Sequence, residues 1–166
     1  MNEVVARGER ASSALAWYGR LLAAVALCLA TNCSSEAGDQ VVLRPAQGEP
    51  VKVAVELATT PSTRRMGLMY RSELGPKKGM LFVFPQKGPQ AFWMRNTKIP
   101  LDILYLADDG RIVNFYANTT PFSEKSLPSE EPVRFVLEVE GGFCEKHGIR
   151  PGDTVELGKL ARLQGR

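Results

Sequence analysis

The residues 79–105, GMLFVFPQKGPQAFWMRNTKIPLDILY, set the character of the whole chain. Two apolar runs in this stretch flank a Trp-Met pair, which is followed by the polar pair Asn-Thr and then by Pro-Leu-Asp. Short apolar runs bounded by Gly and Pro are typical of buried strands. Apolar bulk close to a few polar groups is typical of a ligand site. The stretch therefore predicts both a β-rich core and the region that carries the function.

Short strands on both sides of this stretch extend the pattern. The segment 51–57, VKVAVEL, has valine at every second position, which is typical of a half-buried strand. The sequence Asp108-Asp109-Gly110 predicts a tight hairpin turn. The proline-rich segment 118–132 is expected to be a long loop that lies over a site. Further strands are predicted at residues 80–84, 92–94, 101–107, 111–117, 133–139 and 154–157.

Helical signals are few. Thr60 followed by Pro61 predicts the start of a short helix, because Thr is a favoured N-cap and Pro a favoured first residue. Gly67 limits this helix to one or two turns, and a second short helix is expected between Gly142 and His147. We therefore predict a mostly β fold, a single small antiparallel β-barrel or sandwich-like domain with one or two short helices.

The N-terminus has the features of an export signal. Three arginines precede the uncharged run LLAAVALCLA at residues 21–30. This run is too short for a stable membrane span but suits the core of a secretory signal peptide. The expected organisation is a signal peptide at residues 1–33, a linker at 34–50, the β-rich domain at 51–158 and a C-terminal tail at 159–166.

Two processing routes remain open. Cys33 follows Ala-Thr-Asn and precedes Ser-Ser, which is similar to the bacterial lipoprotein signal, where the cysteine is lipidated and becomes the first residue. Asn32 and Ala30 depart from that signal, and cleavage after Ala30 by ordinary signal peptidase is the alternative. A lipidated Cys33 holds the domain at a membrane surface without spanning the membrane. Both routes predict an exported protein, in the periplasm or on the periplasmic face of a bacterial membrane.

Composition and charge exclude several classes of protein. A chain of 166 residues with 44% hydrophobic and 23% charged residues suits one ordered domain. Residues 34–166 contain 18 Lys and Arg against 16 Asp and Glu, a balance too even and too dispersed for a nucleic-acid surface. Cys33 and Cys144 lie outside the signal core and show neither zinc-ligand spacing nor a disulfide framework. We expect a monomer without a cofactor.

Several motifs of the chain together resemble one family. The segment Phe92-Trp93-Met94-Arg95-Asn96-Thr97 is the most specific of them. The resemblance is to the domain of unknown function 192 family, and it covers roughly residues 51–157. It implies a small β-rich domain, often behind a signal peptide or a lipoprotein signal, and it implies no activity. The other matching motifs are RMGLMYR at 65–71, GMLF at 79–82, IPLDI at 99–103, the Asp109-Gly110 turn and Leu137-Glu138.

The polar residues of the central stretch form the candidate site. On a strand, Phe92 and Met94 face one side and Trp93 the other, so Trp93 either stacks on a ligand or closes the core. Asn96 and Thr97 are expected to orient a ligand. We expect a binding or accessory module for a saccharide-like or other small polar ligand. Its predicted ligand-binding residues are Arg71, Trp93, Asn96, Thr97, Asp102 and Glu138.

Three other interpretations of these residues stay open. A hydrolase would use Asp102 and Glu138 as paired carboxylates, about 5 to 10 Å apart across a cleft. In a purely structural interpretation, Asn96 and Thr97 satisfy turn amides and Asp102 pairs with an arginine, either Arg71 or Arg65. A Cu(I) site would need at least three methionine sulfurs to converge. The four methionines concerned are Met66, Met69, Met80 and Met94.

Overall fold

Strands dominate the computed structural model, which describes residues 38–163 and residue 165. Among these residues there are two short α-helices, α1 (Pro61–Met66) and α2 (Phe143–His147), and a final 3-10 helix (Gly158–Arg162). The strands are β1 (Gln40–Arg44), β2 (Val51–Ala58), β3 (Lys78–Gly88), β4 (Ala91–Phe92), β5 (Leu101–Leu106), β6 (Ile112–Tyr116), β7 (Leu127–Pro128), β8 (Val133–Glu140) and β9 (Thr154–Glu156).

Seven of these strands form one curled sheet. Their spatial order is β6-β5-β8-β3-β2-β1-β9, and the sheet bends into a half-barrel. The remaining pair, β4 and β7, forms a separate two-stranded sheet. The prediction of a mostly β domain with two short helices is confirmed. The barrel is a half-barrel in the described residues, because the two end strands meet at one point rather than along their length.

One strand pair corrects the prediction of an antiparallel sheet. β2 and β3 run parallel, with Ala54 opposite Lys78 and Ala58 opposite Phe82, and α1 lies in the connection between them. Parallel neighbours need a crossover connection, which here consists of a single short helix and its flanking turns. The other pairs of the large sheet are antiparallel, as expected.

The segment interpreted as a linker contributes a strand. β1 lies between β2 and β9 and pairs antiparallel with both, so part of residues 34–50 belongs to the sheet. Val41 and Leu43 of this strand are fully buried. The alternation of buried and more exposed residues in β1 covers only five positions, which is too short to be recognised as a strand in a segment with several Gly and Pro residues. Residues 1–33, with Cys33, lie outside the described residues, and within the described ones no helix is long and apolar enough to cross a membrane.

The sheet is covered on both faces. Alternate residues of β3 belong to different hydrophobic clusters, with Leu81 and Val83 in one and Met80 and Phe82 in the other. The first cluster contains α2 and the 3-10 helix, through residues such as Phe143 and Leu160. The second contains the turn after α1 and the segment around Met94. In β5 and along most of β8, residues of either parity are therefore withdrawn from water, whereas β2 keeps alternate residues exposed.

The long loop 118–132 is anchored by side chains rather than open. The hydroxyl of Tyr105 donates to the carbonyl of Leu127, and the hydroxyl of Tyr116 donates to the carbonyl of Pro128 over 3.1 Å. The Asn114 side chain donates to the same Pro128 carbonyl and accepts from the amide of Glu130. These contacts hold β7 against β4, so this loop supports one wall of the site described next.

Candidate functional site

A cleft of about 470 Å³ opens between α1, the turn that follows it, and β4. Its size lies within the range of small-molecule sites. Its lining combines aromatic and thioether side chains with two arginines, one amide and one carboxyl group. The lining residues are Pro61, Arg64, Arg65, Met66, Gly67, Leu68, Met69, Phe82, Phe84, Gln90, Ala91, Phe92, Trp93, Thr97 and Glu138.

Glu138 of β8 supplies the buried polar group of this cleft. The residue is 5% exposed, and its Oε2 has no hydrogen-bond partner among the described residues. Burial raises the pKa of this carboxyl to about 8, because the charged form loses its hydration. At neutral pH the group is therefore mostly a neutral acid, which both donates and accepts a hydrogen bond. An unsatisfied buried oxygen in a folded protein needs an explanation, which makes this carboxyl the first candidate for a ligand contact in the cleft.

Local sequence shapes the side of the cleft next to α1. The Thr60 hydroxyl caps the helix by accepting from the amide of Thr63, and the Thr63 hydroxyl accepts from the amide of Thr60, so a capping box forms. The helix ends at Gly67, whose φ of 49° and ψ of −136° suit glycine. A Cβ there would lie 3.3 Å from the Phe82 ring and 4.0 Å from Oε2 of Glu138. Gly67 therefore keeps the space beside the carboxyl open.

Aromatic rings form the opposite wall. Phe92 packs edge to face against Phe82, with centroids 4.9 Å apart, and against Tyr105 at 6.0 Å. Trp93 follows in the chain and is 46% exposed, so it lines the cleft instead of closing the core. The guanidinium of Arg95 lies 5.5 Å from the Trp93 ring centroid. The exposed indole offers a flat apolar surface at the mouth of the cleft.

Two arginines of α1 add positive charge to the lining. Arg64 donates to the carbonyl oxygens of Thr59 and Val83, over 2.7 and 2.9 Å, and its guanidinium lies 5.4 Å from the Phe84 ring centroid. Burial lowers the pKa of Arg64 from its ordinary value. Arg65 is exposed at the rim. Arg64 thus has a structural part in the wall, and Arg65 is placed to meet a ligand at the entrance.

The structure brings together three of the six predicted site residues. Trp93, Thr97 and Glu138 line the cleft. Arg71 is instead bound to Glu56, donating hydrogen bonds of 2.5 and 2.6 Å that lower the pKa of the glutamate. Asn96 takes a left-handed conformation, with φ of 58°, and its carbonyl accepts from the amide of Tyr70, which suits the turn interpretation.

Asp102 has a structural position. One carboxylate oxygen accepts from the amides of Asn118 and Gly142, over 2.7 and 2.9 Å, and the other accepts from the amide of Cys144 over 2.7 Å. The expected pairing of Asp102 with Arg71 or Arg65 is wrong. The carboxylate instead receives three backbone donors that link β5 to the start of α2. The Asp102 side chain is on the opposite face of the sheet from that of Glu138 and does not line the cleft, so the two carboxyl groups do not flank one cleft as in a sugar hydrolase.

The four methionines separate into two groups. Met66 and Met69 line the cleft, whereas Met80 and Met94 are buried in the core cluster. The Met94 sulfur accepts a hydrogen bond from the Thr119 hydroxyl at 3.1 Å. The cleft therefore offers two thioethers rather than the three that a Cu(I) site needs.

The Cys-His pair of α2 has no catalytic setting. Cys144 is buried, and burial together with the neighbouring Asp102 raises the pKa of its thiol, so the nucleophilic thiolate is disfavoured. His147 stacks against Phe143 with centroids 4.5 Å apart. In the described part of the chain, no group of three His, Cys, Asp or Glu side chains is placed to hold a metal ion.

Sequence reasoning missed most of the apolar lining. The sequence pattern predicts buried strand for Phe82 and Phe84 and a core-facing side chain for Phe92, and it assigns the arginines of α1 to a short helix, with Arg65 only a possible partner of Asp102. The available signal was the Thr60-Pro61 helix start, which places both arginines in the turn that precedes Gly67. What the sequence did not reveal was the parallel crossover that brings this helix beside β4.

Comparisons with known proteins agree with the fold. The family model of DUF192, described as an uncharacterized ACR, matches residues 42–157. A crystal structure from Sinorhizobium meliloti 1021, described as a "putative transcription regulator", is 44% identical, with a TM-score of 0.69 over 70% of this chain and 91% of that chain. A protein of unknown function from Novosphingobium aromaticivorans DSM 12444 is 41% identical, with a TM-score of 0.68 over 70% of this chain and 83% of that chain. Among curated proteins, no sequence matches this chain.

Proposed function

We propose that this chain, which belongs to the DUF192 family, is a binding module of the bacterial envelope that holds a small saccharide-like ligand in the cleft beside α1. The observation that carries the proposal is the buried carboxyl of Glu138, which belongs to the lining of the cleft and whose Oε2 has no hydrogen-bond partner among the described residues. A neutral acid in this position pairs well with a hydroxyl group, because each can donate and accept.

The remaining lining suits the same ligand class. The flat, half-exposed face of Trp93 covers the C–H surface of a sugar ring. Gln90 and Arg65 at the rim provide donors for further hydroxyl groups. The site is built for recognition, and it lacks the second carboxylate that sugar hydrolysis uses.

The domain Ala37–Arg166 is suitable for testing this proposal. It forms a compact unit, and the Sinorhizobium relative consists almost wholly of the matching region, which indicates that the domain folds alone. Trp17 is absent from it, so Trp93 is its only tryptophan. Its fluorescence should be readily quenched by acrylamide, and a bound mono- or disaccharide should protect it.

Matched variants identify the group that binds. Glu138→Ala should weaken saccharide binding at least tenfold, because it removes the buried hydrogen-bonding group, while Glu138→Gln should bind within a few fold of the native domain. Glu140→Ala, in the same strand but exposed, is the control and should leave the affinity unchanged. If acrylamide reaches Trp93 but no saccharide protects it, the ligand class is wrong.

The envelope location rests on the sequence of residues 1–33. Expressed in a bacterium, the full chain should appear in a membrane fraction if Cys33 is lipidated, and Cys33→Ala should move it to the soluble periplasm. Recovery of an unprocessed chain from the cytoplasm would contradict the proposed export.

A further inference from the structure

Three neighbouring segments, 64–71, 93–98 and 119–125, form one surface beside the mouth of the cleft, which we name the rim surface. The amide of Tyr70 donates to the carbonyl of Asn96, and the amide of Phe122 donates to the carbonyl of Thr97. The amide of Met94 donates to the carbonyl of Ser123 over 2.8 Å. The central segment is therefore held between the other two by backbone hydrogen bonds.

The rim surface exposes four large apolar side chains. They are the four most exposed large hydrophobic residues of the described chain, and two of them, Tyr70 and Phe122, are 60% and 61% exposed. Both have left-handed backbone conformations, with φ of 66° and 60°, which bulky residues rarely adopt. Such strain persists where the surrounding structure imposes it, and it is concentrated at functional positions. The other two side chains are Met66 and Trp93.

The charge of the rim surface differs from that of the rest of the domain. Its segments contain six Lys and Arg and one Asp or Glu, whereas the other described residues contain eleven Lys and Arg and fourteen Asp and Glu. Glu124, the acidic exception, lies 3.7 Å from Arg95, and Glu56 of β2 pairs with Arg71. Positive charge and exposed apolar groups thus share one surface, although the chain as a whole is nearly balanced.

We propose that the rim surface docks the domain onto an anionic lipid bilayer, with Tyr70, Trp93 and Phe122 in the interfacial region and the lysines and arginines against lipid headgroups. Aromatic side chains favour the membrane interface, where one end is apolar and the other is wet. Clustered basic residues near such a surface add electrostatic attraction to anionic lipids. The docking does not depend on lipidation of Cys33.

Other occupants fit the rim surface less well. A second copy of the chain would bring a patch of the same positive charge, so self-association through this surface is opposed by repulsion. A nucleic-acid duplex matches the charge, but it offers no apolar phase for Met66 and Phe122. An anionic bilayer provides both a negative surface and an apolar layer beneath it.

The test is co-sedimentation of the domain Ala37–Arg166, which lacks the N-terminal apolar segment and Cys33, with lipid vesicles. We expect binding to vesicles of phosphatidylcholine that contain about 30% phosphatidylglycerol, because this anionic lipid gives the vesicle a negative surface potential. Vesicles of phosphatidylcholine alone should bind far less, and added salt of about 0.5 M should release the domain. Equal binding to both vesicles, or binding to neither, overturns the proposal.

Charge variants locate the contact. The double variant Lys98→Gln/Lys125→Gln should weaken binding to anionic vesicles by about 25-fold, on the basis of about fivefold for each cation near the surface. The control Lys52→Gln/Lys146→Gln removes the same charge from exposed positions outside the rim surface and should change binding less than about threefold. Equal losses in both double variants would mean that only net charge matters, and the proposed surface would be wrong.

An aromatic variant separates docking from folding. Phe122→Asn should keep or raise the stability of the domain, because asparagine tolerates the left-handed conformation better than phenylalanine does. It should nevertheless weaken vesicle binding several-fold. Unchanged vesicle binding contradicts insertion of this side chain. Tighter binding of the domain to duplex DNA than to vesicles, or dimerisation lost in Phe122→Asn, would identify another occupant and overturn the proposal.

Discussion

Asp102 and Glu138 lie on adjacent antiparallel strands, one residue out of register, and their carboxyl groups occupy opposite faces of the sheet. Asp102 is opposite Val139, and Ile103 is opposite Glu138. Three backbone amides donate to the Asp102 carboxylate, whereas Oε2 of Glu138 has no hydrogen-bond partner in the described part of the chain, and Glu138 lines the cleft. One carboxyl group is therefore fixed by backbone hydrogen bonds on one face of the sheet, and the other belongs to the lining of the cleft on the opposite face.

Asp102→Ala should destabilise the domain without acting on the cleft. The substitution leaves the buried amides of Gly142 and Cys144 without acceptors, and hydrogen bonds to a charged group contribute about 1.5 to 3 kcal/mol each. We expect the free energy of unfolding to fall by about 3 to 5 kcal/mol in urea titrations. Glu140→Ala, exposed at the end of β8, should change it by less than about 0.5 kcal/mol. A stable Asp102→Ala domain that has lost ligand binding would instead make Asp102 part of the binding site.

Glu138→Gln should flatten the pH dependence of stability. Burial raises the carboxyl pKa from 4.5 to about 8 in the folded domain, so between these values the folded state holds a proton that the unfolded state has lost. Stability therefore falls as pH rises through this window, by an amount on the order of a few kcal/mol. Glutamine does not ionise, and the variant should gain stability relative to the native domain as pH increases from about 4 to about 9, a range that brackets both pKa values. Parallel pH profiles for the two proteins would contradict a buried neutral acid.

Strand periodicity predicted most of the fold, and it failed where a strand is buried on both faces. In β8, alternation places Val133, Phe135 and Leu137 in the core and would expose Glu138. The sheet is covered on its second face by the turn after α1, so Glu138 is buried as well. Periodicity reports one apolar face, and it gives no information about what covers the other face.

The candidate site was only partly predicted, because local sequence does not show which distant residues come into contact. Trp93 and Thr97 stand close to each other in the sequence, and local reasoning identified both. Arg71 and Asp102 were grouped with them, but Arg71 pairs with Glu56 of β2, and Asp102 accepts from the Cys144 amide of α2, which is 42 residues away in sequence. Long-range pairing of this kind depends on strand order, which the pattern of residues does not determine.

Gly67→Ala should obstruct the cleft. A Cβ at this position lies 3.3 Å from Phe82 and 4.0 Å from Oε2 of Glu138, and the backbone has φ of 49°. We expect a loss of about 1 to 3 kcal/mol in stability together with at least tenfold weaker ligand binding. Gly142→Ala is the matched control, because Gly142 has φ of 82° and no atom within 4 Å of the added carbon. Gly142→Ala should lose stability but keep its affinity for the ligand. Equal losses of binding in both variants would mean that Gly67 does not keep the cleft open.

Gly110→Ala should open the contact between the two ends of the curled sheet. The amide of Val155 donates to the carbonyl of Gly110 over 2.8 Å, and Ile112 donates to the carbonyl of Asp153 over the same distance. A Cβ at Gly110 would lie 2.2 Å from the Val155 carbonyl oxygen, so β9 would have to move away. We expect the free energy of unfolding to fall by about 3 kcal/mol or more, measured by urea titration, with faster hydrogen exchange at the amides of Val155 and Ile112. Gly152→Ala, with φ of 94° and no atom within 4 Å, adds only backbone strain and should lose about 1 to 2 kcal/mol. If the two variants are equally stable, the closing contact contributes little, and the half-barrel is held by its strand ladders alone.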